Sequence, residues 1–152
     1  MKRLIMVLLS AALVVGVLIL TSDAYSFRPW VELAHPEVQW ISGTSLETQL
    51  EERADVMLID VRTQEEYDAS HLPGALRAGA TPSPGQAVVV YCSLGVRSAD
   101  YAERLQSEGV EVHNLDGGIF AWANAGRPIE NTDGATRDVH PYNRFFGLFL
   151  DE

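Results

Sequence analysis

Two stretches of this chain have no polar face. Val56-Met57-Leu58-Ile59-Asp60-Val61 is apolar except at its fifth position, and Ala87-Val88-Val89-Val90-Tyr91 is β-branched through its centre. A strand with one wet side alternates, so a strand that does not alternate must be covered on both sides. Two such strands within 152 residues call for a parallel sheet with helices on each face, since parallel neighbours need crossover connections.

The crossovers are legible around those runs. Thr44-Ser45-Leu46-Glu47 and Thr63-Gln64-Glu65-Glu66 both carry the Thr-x-x-Glu spacing of a capping box. They predict one helix through about Arg53 and a second that Pro73-Gly74 terminates. From Ser98 to Glu108 the apolar residues Tyr101, Ala102 and Leu105 fall at helical spacing, and Gly109 suits the position past the end. A third strand is expected over residues 110–115. Gly117-Gly118 then turns the chain into a helix over 119–125, ended by Gly126 and Pro128. The expected fold is therefore α/β, a small parallel sheet flanked by helices, occupying residues 38–128. Residues 25–37, with Pro29 and Pro36, read as a linker. Residues 129–152 form an extension that is polar until Tyr142, Phe145, Phe146, Leu148, Phe149 and Leu150 concentrate apolar area near its end. That area is expected to pack on the domain itself.

Ahead of the domain, Lys2 and Arg3 precede a stretch, residues 4–20, without charge and with Ser10 as its polar interruption. This pattern marks an export or anchoring helix. At about 1.5 Å per residue it spans about 25 Å, short of a hydrocarbon core of about 30 Å but long for a signal peptide. Ser22-Asp23-Ala24 offers a small-x-small cleavage site before Tyr25, which favours a cleaved signal peptide, residues 1–24, over a retained membrane anchor. Either way the domain is expected outside the cytoplasm, in the periplasm or cell envelope, with membrane attachment through residues 4–20 if the segment is kept. Without residues 1–24 the chain carries nine arginines, no lysine and twenty acidic residues, a formal charge of −11. That balance argues against nucleic acid as a partner.

The chain has a single cysteine, Cys92. It admits no internal disulfide, no multi-cysteine metal site and no C-x-x-C redox pair. His35, His113 and His140 have no ligand spacing with one another or with the cysteine, so neither metal nor cofactor is expected. Cys92 stands where a buried parallel strand ends and a short loop, Ser93-Leu94-Gly95-Val96-Arg97, leads into a helix. In open parallel sheets ligands bind at that edge. Inward backbone amides, the positive end of the following helix and the Arg97 guanidinium each stabilise negative charge there. Gly95 lets the loop curl, because glycine tolerates positive φ.

Taken together, Leu58-Ile59-Asp60-Val61-Arg62, Glu66-Tyr67, His71-Leu72-Pro73-Gly74-Ala75, Cys92-Ser93-Leu94-Gly95-Val96-Arg97-Ser98, Asp116-Gly117-Gly118 and Trp122 resemble a single-domain rhodanese, in the family's order and over about residues 38–128. The resemblance implies a sulfurtransferase. Its cysteine would take a sulfane sulfur from thiosulfate or a protein persulfide donor, hold it as a persulfide, and pass it to a thiol or cyanide acceptor. It makes Cys92 the carrier, and Ser93, Leu94, Gly95, Val96 and Arg97 the substrate cradle. Asp60, Arg62, Glu66 and His71 match the family's structural polar network, His71 as a turn organiser. The sequence departs from common members at Ser70, where glycine often precedes the histidine, and at Arg77-Ala78-Gly79-Ala80 after the Pro-Gly-Ala turn.

Two alternatives stand beside this reading. Related phosphatases on the fold use C-x5-R, whereas Cys92 and Arg97 are spaced C-x4-R; the shorter loop suits a sulfur atom better than a tetrahedral phosphoryl group. A sulfur-delivery or protein-binding module with little thiosulfate turnover also fits, since a small dianion approaching an acidic domain meets net repulsion.

Overall fold

The computed structural model describes residues 27–52, 55–144 and 146–150. The segment 4–20 lies outside them, and among the described residues no helix is long and apolar enough to cross a membrane. In chain order the elements are α1 (Arg28–Ala34), β1 (Gln39–Ile41), α2 (Gly43–Glu51), β2 (Val56–Asp60), α3 (Gln64–Ala69), β3 (Leu76–Arg77), β4 (Ala87–Tyr91), α4 (Val96–Ser107), β5 (Val112–Leu115), α5 (Gly118–Asn124), β6 (Ile129–Asn131) and β7 (Gly134–Thr136), followed by a 3-10 turn, Phe146–Phe149.

Five of these strands form one parallel sheet in the order β1-β5-β4-β2-β3. The two apolar runs, β2 and β4, lie side by side in register from Val56 with Ala87 to Asp60 with Tyr91. Their residues separate by parity, as strand geometry requires. Leu58, Val89 and Tyr91 point to one face, where they meet Leu46 of α2 and Ile119, Phe120 and Trp122 of α5. Ile59, Val88 and Val90 point to the other, where Ala102 and Leu105 of α4 close over them. Asp60, the one charge in the run, is fully buried and hydrogen-bonds Arg62 with 2.7 Å between Oδ2 and Nη2. A buried carboxylate is tolerable only with such a partner.

Three expectations need correction. The linker 25–37 contains a helix, α1, because Val31 buries itself and His35 reaches Asp100 and Glu103 of α4 at 3.2 and 2.9 Å. The helix expected from Thr44 is capped two residues earlier: the Ser42 hydroxyl accepts from the Ser45 N–H at 3.0 Å. The extension, which the sequence marks only as polar at its start, is structured there, since β6 and β7 pair as an antiparallel hairpin. Its end packs on the domain in part, since Leu148 stays exposed. Phe149 and Leu150 join the core face, and the Phe149 and Phe27 rings meet edge to face at 5.6 Å.

Candidate active site

Cys92 follows the last residue of β4 and is 2% exposed. Three of the next four peptide units are held through their carbonyls by partners outside the loop. The carbonyls of Cys92 and Ser93 accept from the Ile119 and Phe120 N–H groups of α5 at 2.9 and 3.1 Å. First-turn helix amides have no partner within their own helix, so they are ready donors. The Gly95 carbonyl accepts from Asn114 Nδ2 at 2.8 Å, and Asn114 Oδ1 in turn accepts from the Ser98 hydroxyl at 2.7 Å. Because a trans peptide sets its N–H opposite its C=O, the N–H groups of Ser93, Leu94 and Val96 turn away from these partners. The Gly95 N–H donates to Cys92 Sγ at 3.2 Å.

Glycine is required twice here. Gly95 has φ +89°, and a Cβ on it would lie 3.2 Å from the Trp40 ring and 3.3 Å from the Leu115 carbonyl. Gly118 has φ +58°, and its Cβ would stand 2.3 Å from the Cys92 carbonyl and 2.6 Å from that of Ser93. Gly118 is therefore what lets α5 press its amides against the cysteine loop.

The side chains of the loop divide by role. Leu94 is buried in the core face, so its contribution to a site is its backbone. Val96 opens α4 and is exposed. Ser93, Arg97 and Glu66 form a compact cluster. Arg97 donates from Nη1 to Glu66 Oε2 at 3.0 Å, and from Nη2 to Glu66 Oε1 at 2.7 Å and Ser93 Oγ at 3.0 Å. Ser93 Oγ also donates to Glu66 Oε1 at 3.2 Å. Glu66 is at the same time the reciprocal member of the Thr63 capping box, accepting from the Thr63 N–H at 2.9 Å. Burial raises the Glu66 pKa, but the Arg97 hydrogen bond, the Thr63 amide and the Arg97 charge outweigh it and hold the carboxyl at about 2. Arg97 is held above the ordinary arginine value: burial opposes this, while the Glu66 hydrogen bond and then the neighbouring Cys92 and Glu66 charges raise it. Arg97 is thus more than a charge beside the sulfur: it is also the partner of a buried carboxylate.

The structure separates the other polar residues from this cluster. Asp60 binds Arg62, whose Nη2 donates to the Ser70 carbonyl at 2.5 Å. Arg77 donates to the Arg62 carbonyl. His71 stacks on Tyr67 with ring centres 3.9 Å apart, its Nδ1 lies 2.9 Å from the Tyr67 carbonyl, and its backbone pairs with Glu130. These contacts shape the turn after α3 and do not involve the sulfur. Sequence reasoning missed Asn114 and Trp40, and it gave Ser98 no role beyond closing the cysteine motif. A polar residue within a strand that is otherwise expected to be buried, as Asn114 is in β5, is the one signal that could have pointed to the loop's anchor.

A model of the rhodanese-like domain matches residues 42–125, more than half of the chain and all of the cysteine loop. The chain belongs to the rhodanese-like family. A sulfurtransferase of Allochromatium vinosum is 36% identical over 106 residues, covering 64% of this chain and 99% of that protein. A thiosulfate sulfurtransferase of Coxiella burnetii is 30% identical over 83 residues, 49% of this chain and 78% of that one. Among solved structures, a thiosulfate sulfurtransferase from Pseudomonas aeruginosa superposes with a TM-score of 0.61 at 24% identity, covering 84% of this chain and 26% of that chain, a likeness of fold.

Proposed function

We propose that the protein is a sulfurtransferase that carries a sulfane sulfur on Cys92. What carries this reading is the Cys92 loop: a nucleophilic residue at the end of a central strand, its sulfur accepting a backbone N–H, with the flanking carbonyls drawn off to α5 and Asn114. With thiosulfate as donor, the Cys92 thiolate attacks the outer sulfur. The sulfur–sulfur bond breaks, sulfite leaves with its electron pair, and Cys92 retains a persulfide. An acceptor thiolate or cyanide then attacks the terminal sulfur and the Cys92 thiolate departs. The proposed cradle is the backbone of residues 93–97 with Arg97 at its edge, and no cofactor enters the scheme.

Delivery of sulfur between proteins, with little thiosulfate turnover, is the second reading. It is favoured by Arg97, whose charge is matched by Glu66, and by the acidic surface that a dianion must approach. Export through residues 1–24, cleaved or retained as an anchor, belongs to either version.

Intact mass before and after incubation tests the proposal. Thiosulfate or a persulfide donor is expected to add about 32 Da, one sulfur atom, by attack of an activated nucleophile. Cys92→Ser is expected to abolish the adduct. An unmodified wild-type mass with both donors, or an adduct that survives in the variant, refutes it.

A further inference from the structure

Arg97 is engaged on its edges and on one face. Its terminal nitrogens bind Glu66 and Ser93, and its guanidinium carbon lies 4.7 Å from the centre of the Tyr142 ring. At that distance an aromatic face attracts a cation. Tyr142 belongs to the C-terminal extension, beyond the segment that the family model matches. Its backbone is left-handed, φ +61°, the one non-glycine residue in that region among the described residues. Such a conformation persists in tyrosine only where the surroundings impose it.

The surroundings lie on both sides. The Tyr142 N–H donates to His140 Nδ1 at 3.1 Å, and His140 Nε2 stands 4.0 Å from Glu65, next in sequence to the Glu66 that binds Arg97. The Asn143 N–H donates to the Pro141 carbonyl at 2.6 Å. Further along, Asn124 Nδ2 donates to the Phe149 carbonyl at 2.8 Å, and Phe149 meets Phe27. The extension is thus tied down before and after Tyr142, and the tether sets the ring against the cation beside the sulfur.

We propose that Tyr142 is a specificity-determining residue of the Cys92 site, screening Arg97 from small oxyanions. Glu66 balances the charge of Arg97 and the Tyr142 ring covers one face of its guanidinium, so the sulfonate oxygens of thiosulfate, which need a cation to pair with, find one already engaged. A protein persulfide, which presents its sulfur without adjacent oxygens, has no such need. The donor class rests on the sulfur-transfer reading; the screening of Arg97 rests on geometry alone.

The full-length chain in mild detergent has one cysteine, so alkylation reports on this site. Wild type, Tyr142→Gly and Tyr142→Phe are compared by the rate of Cys92 modification with iodoacetate, an anion, and iodoacetamide, its neutral analogue. Glycine removes the ring and fits the left-handed backbone; phenylalanine keeps the aromatic face. Tyr142→Gly is expected to raise the iodoacetate-to-iodoacetamide rate ratio about two- to five-fold, the worth of one partly exposed cation–aromatic contact. Tyr142→Phe is expected to match wild type. The KM for thiosulfate should fall by a similar factor in Tyr142→Gly with kcat unchanged. A ratio unmoved by Tyr142→Gly, or moved as much by Tyr142→Phe, overturns the proposal. If wild type forms no persulfide with either donor, the sulfur-transfer reading falls, and the alkylation ratio still decides the role of Tyr142.

Discussion

Glu66→Gln isolates the charge of one carboxylate. Glutamine fills nearly the same space and can complete the capping box with Thr63, so what it removes is the ion pair with Arg97. In the wild type Glu66 is 2% exposed, and burial alone would raise its pKa above the ordinary 4.5; the Arg97 hydrogen bond, the Thr63 amide and the Arg97 charge hold it at about 2. The gap from 4.5 to about 2, at about 1.4 kcal/mol per pH unit, corresponds to about 3 kcal/mol at neutral pH. The sign follows from the direction of the change. A carboxyl whose folded value is depressed stabilises the fold fully above its unfolded value, and that contribution drains away between pH 4.5 and about 2. Urea unfolding of both proteins, followed by tryptophan fluorescence at steps from pH 7 downward, measures this. With a urea slope of about 1–3 kcal/mol per molar, the midpoints should differ by about 1–3 M at pH 7. The difference should shrink as the pH drops below 4.5. Other carboxylates titrate in both proteins and cancel in the comparison. A midpoint difference that stays constant from pH 7 to pH 3, or widens on acidification, would refute the reasoning.

Arg97→Ala strands the buried Glu66 carboxylate, while Arg97 itself is about a third exposed. The cost should fall between that of an exposed pair and a buried one, about 1–3 kcal/mol in urea unfolding. Unchanged stability with weakened thiosulfate use would instead make Arg97 a pure anion binder. Gly118→Ala would place a methyl 2.3 Å from the Cys92 carbonyl. It should force α5 away from the loop, lowering the melting temperature and the yield of persulfide in the mass assay. A variant with wild-type melting and wild-type yield would show that the contact is dispensable.

The central pair of strands was legible because the information is local. A run such as Val88-Val89-Val90 has nowhere to put a wet face, and the structure duly splits its residues between two core faces. The Thr63-to-Glu66 box was equally readable, since both hydrogen bonds close within four residues. Short elements were less so. The strands β1 and β3, of three and two residues, carry too little pattern to announce themselves, and the chain from Thr44 offered a better cap by spacing than the Ser42 that does the work. The extension's aromatic end had to be covered by something, but which ring met which partner could not be read from it.

At the site, sequence alone determined that one cysteine ends a buried strand and that a glycine-bearing loop and a helix follow it. Only tertiary structure decided what that loop faces. Glu66 and Arg97 are thirty-one residues apart, Asn114 reaches Gly95 across nineteen, and Tyr142 comes to Arg97 from outside the matched domain. Backbone preference is set by neighbours along the chain, a residue or a turn away. The partner of a charge or a carbonyl is set by which distant segments the core brings into register, and no short window of residues contains that.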